Sequence, residues 1–544
     1  MNDRRRVWHL LRALSPATLG FLIVLTASTA TAQVPPLPPL PGSPVPLPPG
    51  VFPRSSPTIS EGLQLETLST ETQDPTAISV TPDGRVVFSE RQGAIKVITT
   101  AGKTIEAARL LTAATGCVGC PDQVLEEGGI HGLEVSPDFA TSHRIYVYYS
   151  VPFSIGISGY APDEGLFRLS TFVLRDDNSI DPTSEHVILE NPAQWLNCCH
   201  YGGDIDFMPD GTLLLSVGDD TSPREEGWNP RDKRVGRAAF NAERTAQNPL
   251  DRRGKVLRMM PDGSVPDGTQ PGIAPNPHVG DSKFDPYVYA MGFRSNYRIA
   301  VDDATGFTFV GNVGPDAGAD DPLRGPKGYD ELETIPPGGG TNHGWPRCIG
   351  NNIPYVDWNY ETSTGNGLLS CDGMTPADVF YSYDPSTTWP ALGSGSRTAA
   401  AGVVYRYDGA GPRRLPDAYQ GKLLFMEWSR DRVWAIPIDD DPESPSYGRL
   451  QTASMTQIAS GLISPIDAAI GPDGAVYVAE YGLTFYMNPD SRISRIVPSS
   501  AATPRPAGTR KAAKERSSAH GLVVLSGALT AGLTGLRRRK RVPA

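Results

Sequence analysis

The sequence carries little charge for its length: Asp, Glu, Lys and Arg make up 20% of 544 residues, and the net charge is −11. That balance excludes a broad nucleic-acid face, because phosphates need a basic surface. A few converging arginines can still hold an anion. Long helical periodicity is missing between Ser60 and Val497, and nothing there reads as a domain linker. No Gly-x-Ser-x-Gly elbow supports a serine hydrolase, and no Gly-x-Gly-x-x-Gly opens a helix after a strand, which argues against a nicotinamide cofactor. Cysteine is scarce, with six residues. No Cys-x-x-Cys pair repeats at zinc spacing with histidines behind it, so a structural zinc is not expected.

Glycine and proline are abundant, at 57 and 52 residues, which suits many short strands joined by tight turns. A loose repeat places Pro-Asp-Gly, or Pro-Asp, before an alternating strand. It occurs at Pro82-Asp83-Gly84, Pro137-Asp138, Pro209-Asp210-Gly211 and Pro472-Asp473-Gly474. Similar strands without the full turn are Phe307 to Gly311 and Lys422 to Trp428. The unit recurs roughly every 55–70 residues, longer than the blade repeats of the best-known propellers. We therefore expect an all-β, six-bladed β-propeller over residues 59–498; a pair of β-sandwiches is the competing architecture.

The ends differ from this body. Residues 1–32 read as a signal peptide, with Arg4, Arg5 and Arg6, an apolar stretch from Leu19 to Leu25, and cleavage after Ala30-Thr31-Ala32; an uncleaved anchor is the alternative. Residues 33–58 are a proline-rich spacer and residues 499–519 a polar linker. In residues 520–544, apolar Gly521 to Leu536 runs into Arg537-Arg538-Arg539-Lys540-Arg541. The length is marginal for a span, but the basic end fits an anchor or sorting segment that holds the chain at the membrane. A frayed tail is the alternative. Export implies an oxidising compartment, periplasmic or extracellular, in which cysteines pair.

Chemistry concentrates at strand ends. From Asn197 to Asp220, two cysteines and His200 precede Gly202 and Gly203, which let the backbone pass close to a neighbour. An alternating strand, a Pro-Asp-Gly turn and a second strand then end on Gly218-Asp219-Asp220, so the hairpin carries a histidine at its mouth. Further loop segments are EEGGIHGL from Glu126, GFRSNYR from Gly292, GNVGPD from Gly311, GYDE from Gly328 and NHGWP from Asn342. In a propeller such loops can converge on one face.

Taken in order, CCHYGG, GFRSNYR, GNVGPDA, RGPKGYDE and TNHGWP resemble the soluble glucose/sorbosone dehydrogenase family, quinoproteins that oxidise sugars with pyrroloquinoline quinone (PQQ) on a six-bladed propeller. The resemblance covers nearly all of Ser60 to Val497. It implies that His200 is the general base for the anomeric hydroxyl, a task suited to a near-neutral pKa. It also implies that Arg294 stands at the quinone oxygens, and that Gly314 and Pro315 hold a calcium ion through their carbonyls, with Asp316 adding a carboxylate. A small-molecule sugar and an external electron acceptor would be the partners.

The chain departs from the family's pattern at several points. Ser295 replaces an asparagine, which Asn296 is positioned to substitute, and Glu127 replaces a glutamine. Ser464-Pro465-Ile466-Asp467 holds no arginine where the best-known members carry two for the cofactor's carboxylates. A buried trianion needs cations; Arg397, Arg430 and Arg432 are the candidates. A non-catalytic recognition propeller and a calcium-dependent lactone hydrolase therefore stay open as alternatives. The expected disulfides are Cys117–Cys120, Cys198–Cys199 and Cys348–Cys371. The vicinal bridge would stiffen the floor beside His200, since adjacent Cα atoms about 3.8 Å apart leave a strained ring. Pairing of Cys198 and Cys199 with other cysteines is its alternative.

Overall fold

The computed structural model describes residues 56–116, 127–151, 164–194, 199–223 and 227–499. The expected signal peptide, nearly all of the proline-rich spacer, the polar linker beyond Ser499 and the expected C-terminal anchor segment lie outside the described residues.

Six antiparallel sheets follow one another along the chain, each with a core of four strands. Blade 1 comprises Pro75–Val80, Val86–Glu90, Ala94–Ile98 and Thr104–Arg109. Blade 2 comprises Ile130–Val135, Arg144–Ser150, Glu164–Val173 and His186–Gln194. Blade 3 runs from Gly202–Phe207 through Leu213–Val217 and Lys255–Met259 to Val288–Met291. Blade 4 has Arg298–Val301, Thr308–Asn312, Asp330–Ile335 and Val379–Tyr381; blade 5 has Ala399–Tyr405, Lys422–Glu427, Arg432–Pro437 and Thr456–Ser460. Blade 6 is built from both ends: Pro465–Ile470, Val476–Glu480 and Arg492–Pro498 are completed by Leu63–Ser69, which pairs with Arg492–Pro498. Thr58, expected in the spacer, instead joins Ile59 in a short strand that pairs with Thr456–Ser460 at the rim of blade 5.

The first strands of successive blades are neighbours, and that of blade 6 packs against that of blade 1, so the fold is a closed ring. The repeat of the sequence is thereby explained. Every repeat strand is the second strand of its blade, and each Pro-Asp-Gly turn joins first strand to second.

An innermost strand has one edge without a ladder partner, so its N–H groups need acceptors. Buried and half-buried carboxylates of the preceding blade supply them. Asp204 and Asp206 accept from the N–H groups of Ile299 and Val301 at 2.8 and 2.7 Å. Asp330 accepts from Ala399 at 2.9 Å, and Asp467 from Ile78 at 2.8 Å across the closure. Apolar residues fill the wedges between blades: Tyr146, Tyr148, Phe167 and Leu169 of blade 2 pack against Leu213, Leu215 and Leu257 of blade 3. Each such burial is worth about 1.5–3 kcal/mol.

Candidate active site

In an up-and-down blade the first strand begins on the face where the second strand ends. Pro-Asp-Gly turns close the opposite face, so the quoted loop segments gather on one side. There a cavity of about 530 Å³ opens, lined by His200, Arg294, Arg397, Arg91, Asp316 and Glu127, with Tyr297, Trp428, Tyr481 and Phe485 among its aromatic walls. Its size is that of a small-ligand site. A smaller cleft, about 280 Å³, lies beside the Pro209-Asp210 turn, lined also by Asp303 to Gly306 and Pro337. Its Arg258 is committed to Asp210, Thr212 and the carbonyl of Ala274.

His200 precedes the first strand of blade 3 with φ of 62°, in the left-handed region. That conformation costs roughly 1–2 kcal/mol; the N–H of Asp220 donates to its carbonyl at 3.2 Å. Gly218 has to be glycine, because a Cβ there would overlap the same carbonyl. The imidazole Nδ1 lies 2.9 Å from Asp219 Oδ1. Asp219, at the end of the second strand, also accepts from the Thr221 hydroxyl and the Trp345 indole, each at 2.7 Å. With Nδ1–H donating to the carboxylate, Nε2 is the nitrogen left to accept a proton. Burial pushes the pKa of His200 below its ordinary value, the Arg294 guanidinium adds to this, and Asp219 and Asp316 oppose it.

Arg294 shares the cavity with His200 and is buried. Its backbone N–H donates to Asn312 Oδ1 at 3.1 Å, and its Nη1 to the carbonyl of Val313 at 3.0 Å, so the GNVGPD loop pins the arginine. Its carbonyl in turn accepts from the N–H of Asp219 at 2.8 Å, tying it to the carboxylate that holds His200. The glycine pair makes the close approach expected of it: a Cβ on Gly203 would lie 2.5 Å from that of His131. The imidazole of His131 lies between the carbonyls of Glu127 and Gly202, at 2.7 and 2.8 Å.

Other expected residues sit elsewhere. Asn296 does not take the place of the missing asparagine: it is fully buried away from the cavity and donates to the carbonyl of Lys255 at 2.8 Å. Arg430 does not reach the cavity either; its guanidinium donates to the carbonyls of Ser396, Leu392, Ser382 and Gly395. Arg432 pairs with Ser460 in the blade 5 ladder. Arg397 does line the cavity, with one arm on Asp330 and the other on the Pro315 carbonyl. The carbonyl expected to hold calcium thus already accepts a cation. Asp316 faces the cavity, whereas Gly314 gives its N–H to Asp330 at 3.0 Å. Among the described residues, no group of three His, Cys, Asp or Glu side chains could hold a metal ion.

Sequence reading missed Arg91, Asp219 and the aromatic wall. Arg91 and Asp219 follow second strands, as Trp428 does, and that position was the available signal. Arg298, the last residue of GFRSNYR, plugs the channel beneath the cavity. It donates to the carbonyls of Ile466, His131 and Thr76 and lies 3.5 and 3.6 Å from Asp204 and Asp467. Cys348 and Cys371 form the expected disulfide. Cys199 is disulfide-bonded and lines the cavity; Cys198, Cys117 and Cys120 lie outside the described residues.

Residues 72–481 match the family model described as glucose/sorbosone dehydrogenase. The aldose sugar dehydrogenase YliI of Escherichia coli (strain K12) is 24% identical over 417 residues, 76% of this chain and 89% of that protein. An uncharacterized protein of Synechocystis is 26% identical over 408 residues, covering 75% of this chain and 81% of its own length. The PQQ-bound form of an aldose sugar dehydrogenase from Streptomyces coelicolor shares the fold, with TM-score 0.50 and 19% identity over 81% of this chain and 99% of that one. With its motifs gathered at one mouth of a six-bladed ring and its sequence matched over that ring, the chain belongs to the glucose/sorbosone dehydrogenase family.

Proposed function

We propose that the cavity binds PQQ and that the protein oxidises an aldose or related sugar at its anomeric carbon. The carrying observation is that His200, fixed by Asp219, faces the same cavity as Arg294. The donor set suits a flat, triply charged anion: Arg91, Arg294 and Arg397 bring three guanidinium groups, and Tyr297, Trp428 and Tyr481 bring ring faces. These arginines would hold the group in place of the pair absent from Ser464 to Asp467. When bound, the quinone supplies the two-electron sink, and an external acceptor later removes the electrons.

The chain's own part is to orient and to move a proton. His200 Nε2 takes the proton of the anomeric hydroxyl as the neighbouring C–H hydride leaves, and the sugar becomes a lactone. Asp219 holds the ring in the tautomer that leaves Nε2 free and steadies the imidazolium that forms. The Arg294 guanidinium steadies negative charge developing opposite the base. Reconstitution tests this: add PQQ to the purified protein and follow dye reduction with aldoses. Dye reduction together with a shift in quinone absorbance is expected. Neither one appearing would remove the dehydrogenase reading.

A recognition role without the cofactor is the second reading, favoured by Ile466 lining the cavity where the best-known members carry a cationic grip. Carbohydrate binding unaffected by PQQ is its signature. We further propose that the protein works outside the cytoplasm, held to the envelope by residues 520–544. The Cys348–Cys371 disulfide fits that compartment, and fractionation of cells into soluble and membrane pools tests it.

A further inference from the structure

We infer that Arg397 is the built-in cation of this cavity and takes the place of a divalent metal at the Gly314-Pro315 loop. The inference rests on the reading of the cavity as a cofactor site.

A calcium ion requires about six to eight oxygen ligands, and its site is built to collect them. Here the loop offers the Gly314 carbonyl, the Pro315 carbonyl, which accepts from Arg397 Nη2, and the Asp316 carboxylate, which accepts from the Tyr383 hydroxyl at 3.4 Å, a set short of that number. Asp330, which bonds the same loop through the N–H of Gly314, is spent on other donors. It accepts from Arg397 Nη1, from the N–H of Gly314 at 3.0 Å and from the N–H of Ala399 at 2.9 Å.

The guanidinium is placed as deliberately as a ligated ion. The Arg397 side chain is 1% exposed and its partner Asp330 is 0% exposed. Its carbon lies 4.5 Å from the centroid of the Tyr383 ring. Burial opposes its charge, but Asp330, Tyr383 and Tyr381 together outweigh this and keep the group above its ordinary pKa. Gly328 makes the room, since a Cβ there would overlap the Pro315 carbonyl and approach Arg397 Nη2. A planar fork on a carboxylate and a carbonyl is a fixed geometry that a lysine cannot reproduce. A divalent ion brought to the same carbonyl would meet a cation already there, and like charges in a shielded site repel strongly.

The test compares metal-free full-length protein in EGTA with the same protein in excess calcium. PQQ is titrated while tryptophan fluorescence is followed, and calcium alone is titrated by calorimetry. For the unaltered protein we expect PQQ affinities within about twofold of each other in the two buffers, and no calcium uptake that Asp316→Asn abolishes. Arg397→Ala should weaken PQQ binding in EGTA by about tenfold or more, with calcium recovering part of the loss. Arg397→Lys, which keeps charge and fold but not the fork, should lie between. PQQ binding by the unaltered protein that needs calcium overturns the inference, as does calcium uptake lost in Asp316→Asn. If PQQ binds in neither buffer, the functional reading fails, and the calcium titration alone still decides which cation the loop holds.

Discussion

The indole of Trp345 and the imidazole of His200 meet on one carboxylate, taking opposite oxygens of Asp219 at 2.7 and 2.9 Å. Two segments far apart in the chain, NHGWP and CCHYGG, are thereby joined through the residue that ends a second strand. Asp219 can neither rotate nor leave without breaking both bonds, so the base has one orientation.

Replacing the base tests its role directly. His200→Ala should lower turnover at least about 100-fold while PQQ affinity stays within about threefold, since the imidazole moves a proton rather than gripping an anion. Stopped-flow dye reduction and a cofactor titration measure the two quantities. Full activity in this variant would take His200 out of the mechanism.

The pH dependence should carry the signs of its neighbours. Because burial and Arg294 hold the pKa of His200 below its ordinary value, the neutral base persists on acidification, and kcat/KM should begin to fall only at a pH below that of an ordinary histidine. Arg294→Gln removes a cation that lowers the pKa, so the acid limb should move to higher pH. Asp219→Asn removes a carboxylate that raises it, so the limb should move to lower pH while turnover falls about 10–100-fold. Shifts of one sign in both variants would contradict the arrangement.

The channel should depend on its central cation. Arg298 is fully buried beside Asp204 and Asp467, and burial raises the pKa of both acids, that of Asp467 to about 7. Arg298→Ala would leave them without a counter-ion, and a loss of about 3–5 kcal/mol in stability is expected. Denaturant melts measure it; a variant as stable as the parent would show that the acids are neutral without the arginine.

The disulfide closes a loop with a sequence separation of 23 residues. Replacing Cys348 and Cys371 together by serine should cost about 3 kcal/mol through the freedom returned to the unfolded chain. Because this loop follows NHGWP, kcat should change little while the melting temperature falls.

How much was readable follows from what each residue's role depends on. The Pro-Asp-Gly turns and alternating strands are local signals with period two, and they marked one strand in each blade, whose place as the second strand appears only in the fold. His200 and Arg294 were legible because ordered motifs resembled a family, and Arg397 because cations were missing elsewhere. Asn296 and Arg430 misled because adjacency in sequence says nothing of direction: one residue along, a side chain turns from the cavity into the core. Arg91 gave no motif at all.

From the sequence alone, strand periodicity and turn chemistry already determined an all-β chain of repeated units, for which six blades were expected, and motif order determined which loops carry chemistry. Both are properties of short stretches of chain. What only the tertiary structure decided is which partner each side chain meets. Closure of the ring by Leu63–Ser69 brought distant strand ends to one mouth, set Trp345 and His200 on Asp219, and placed the guanidinium of Arg397 on the Pro315 carbonyl. Burial then fixed the charges there, because an ion out of water keeps its charge only if the fold supplies its counterpart.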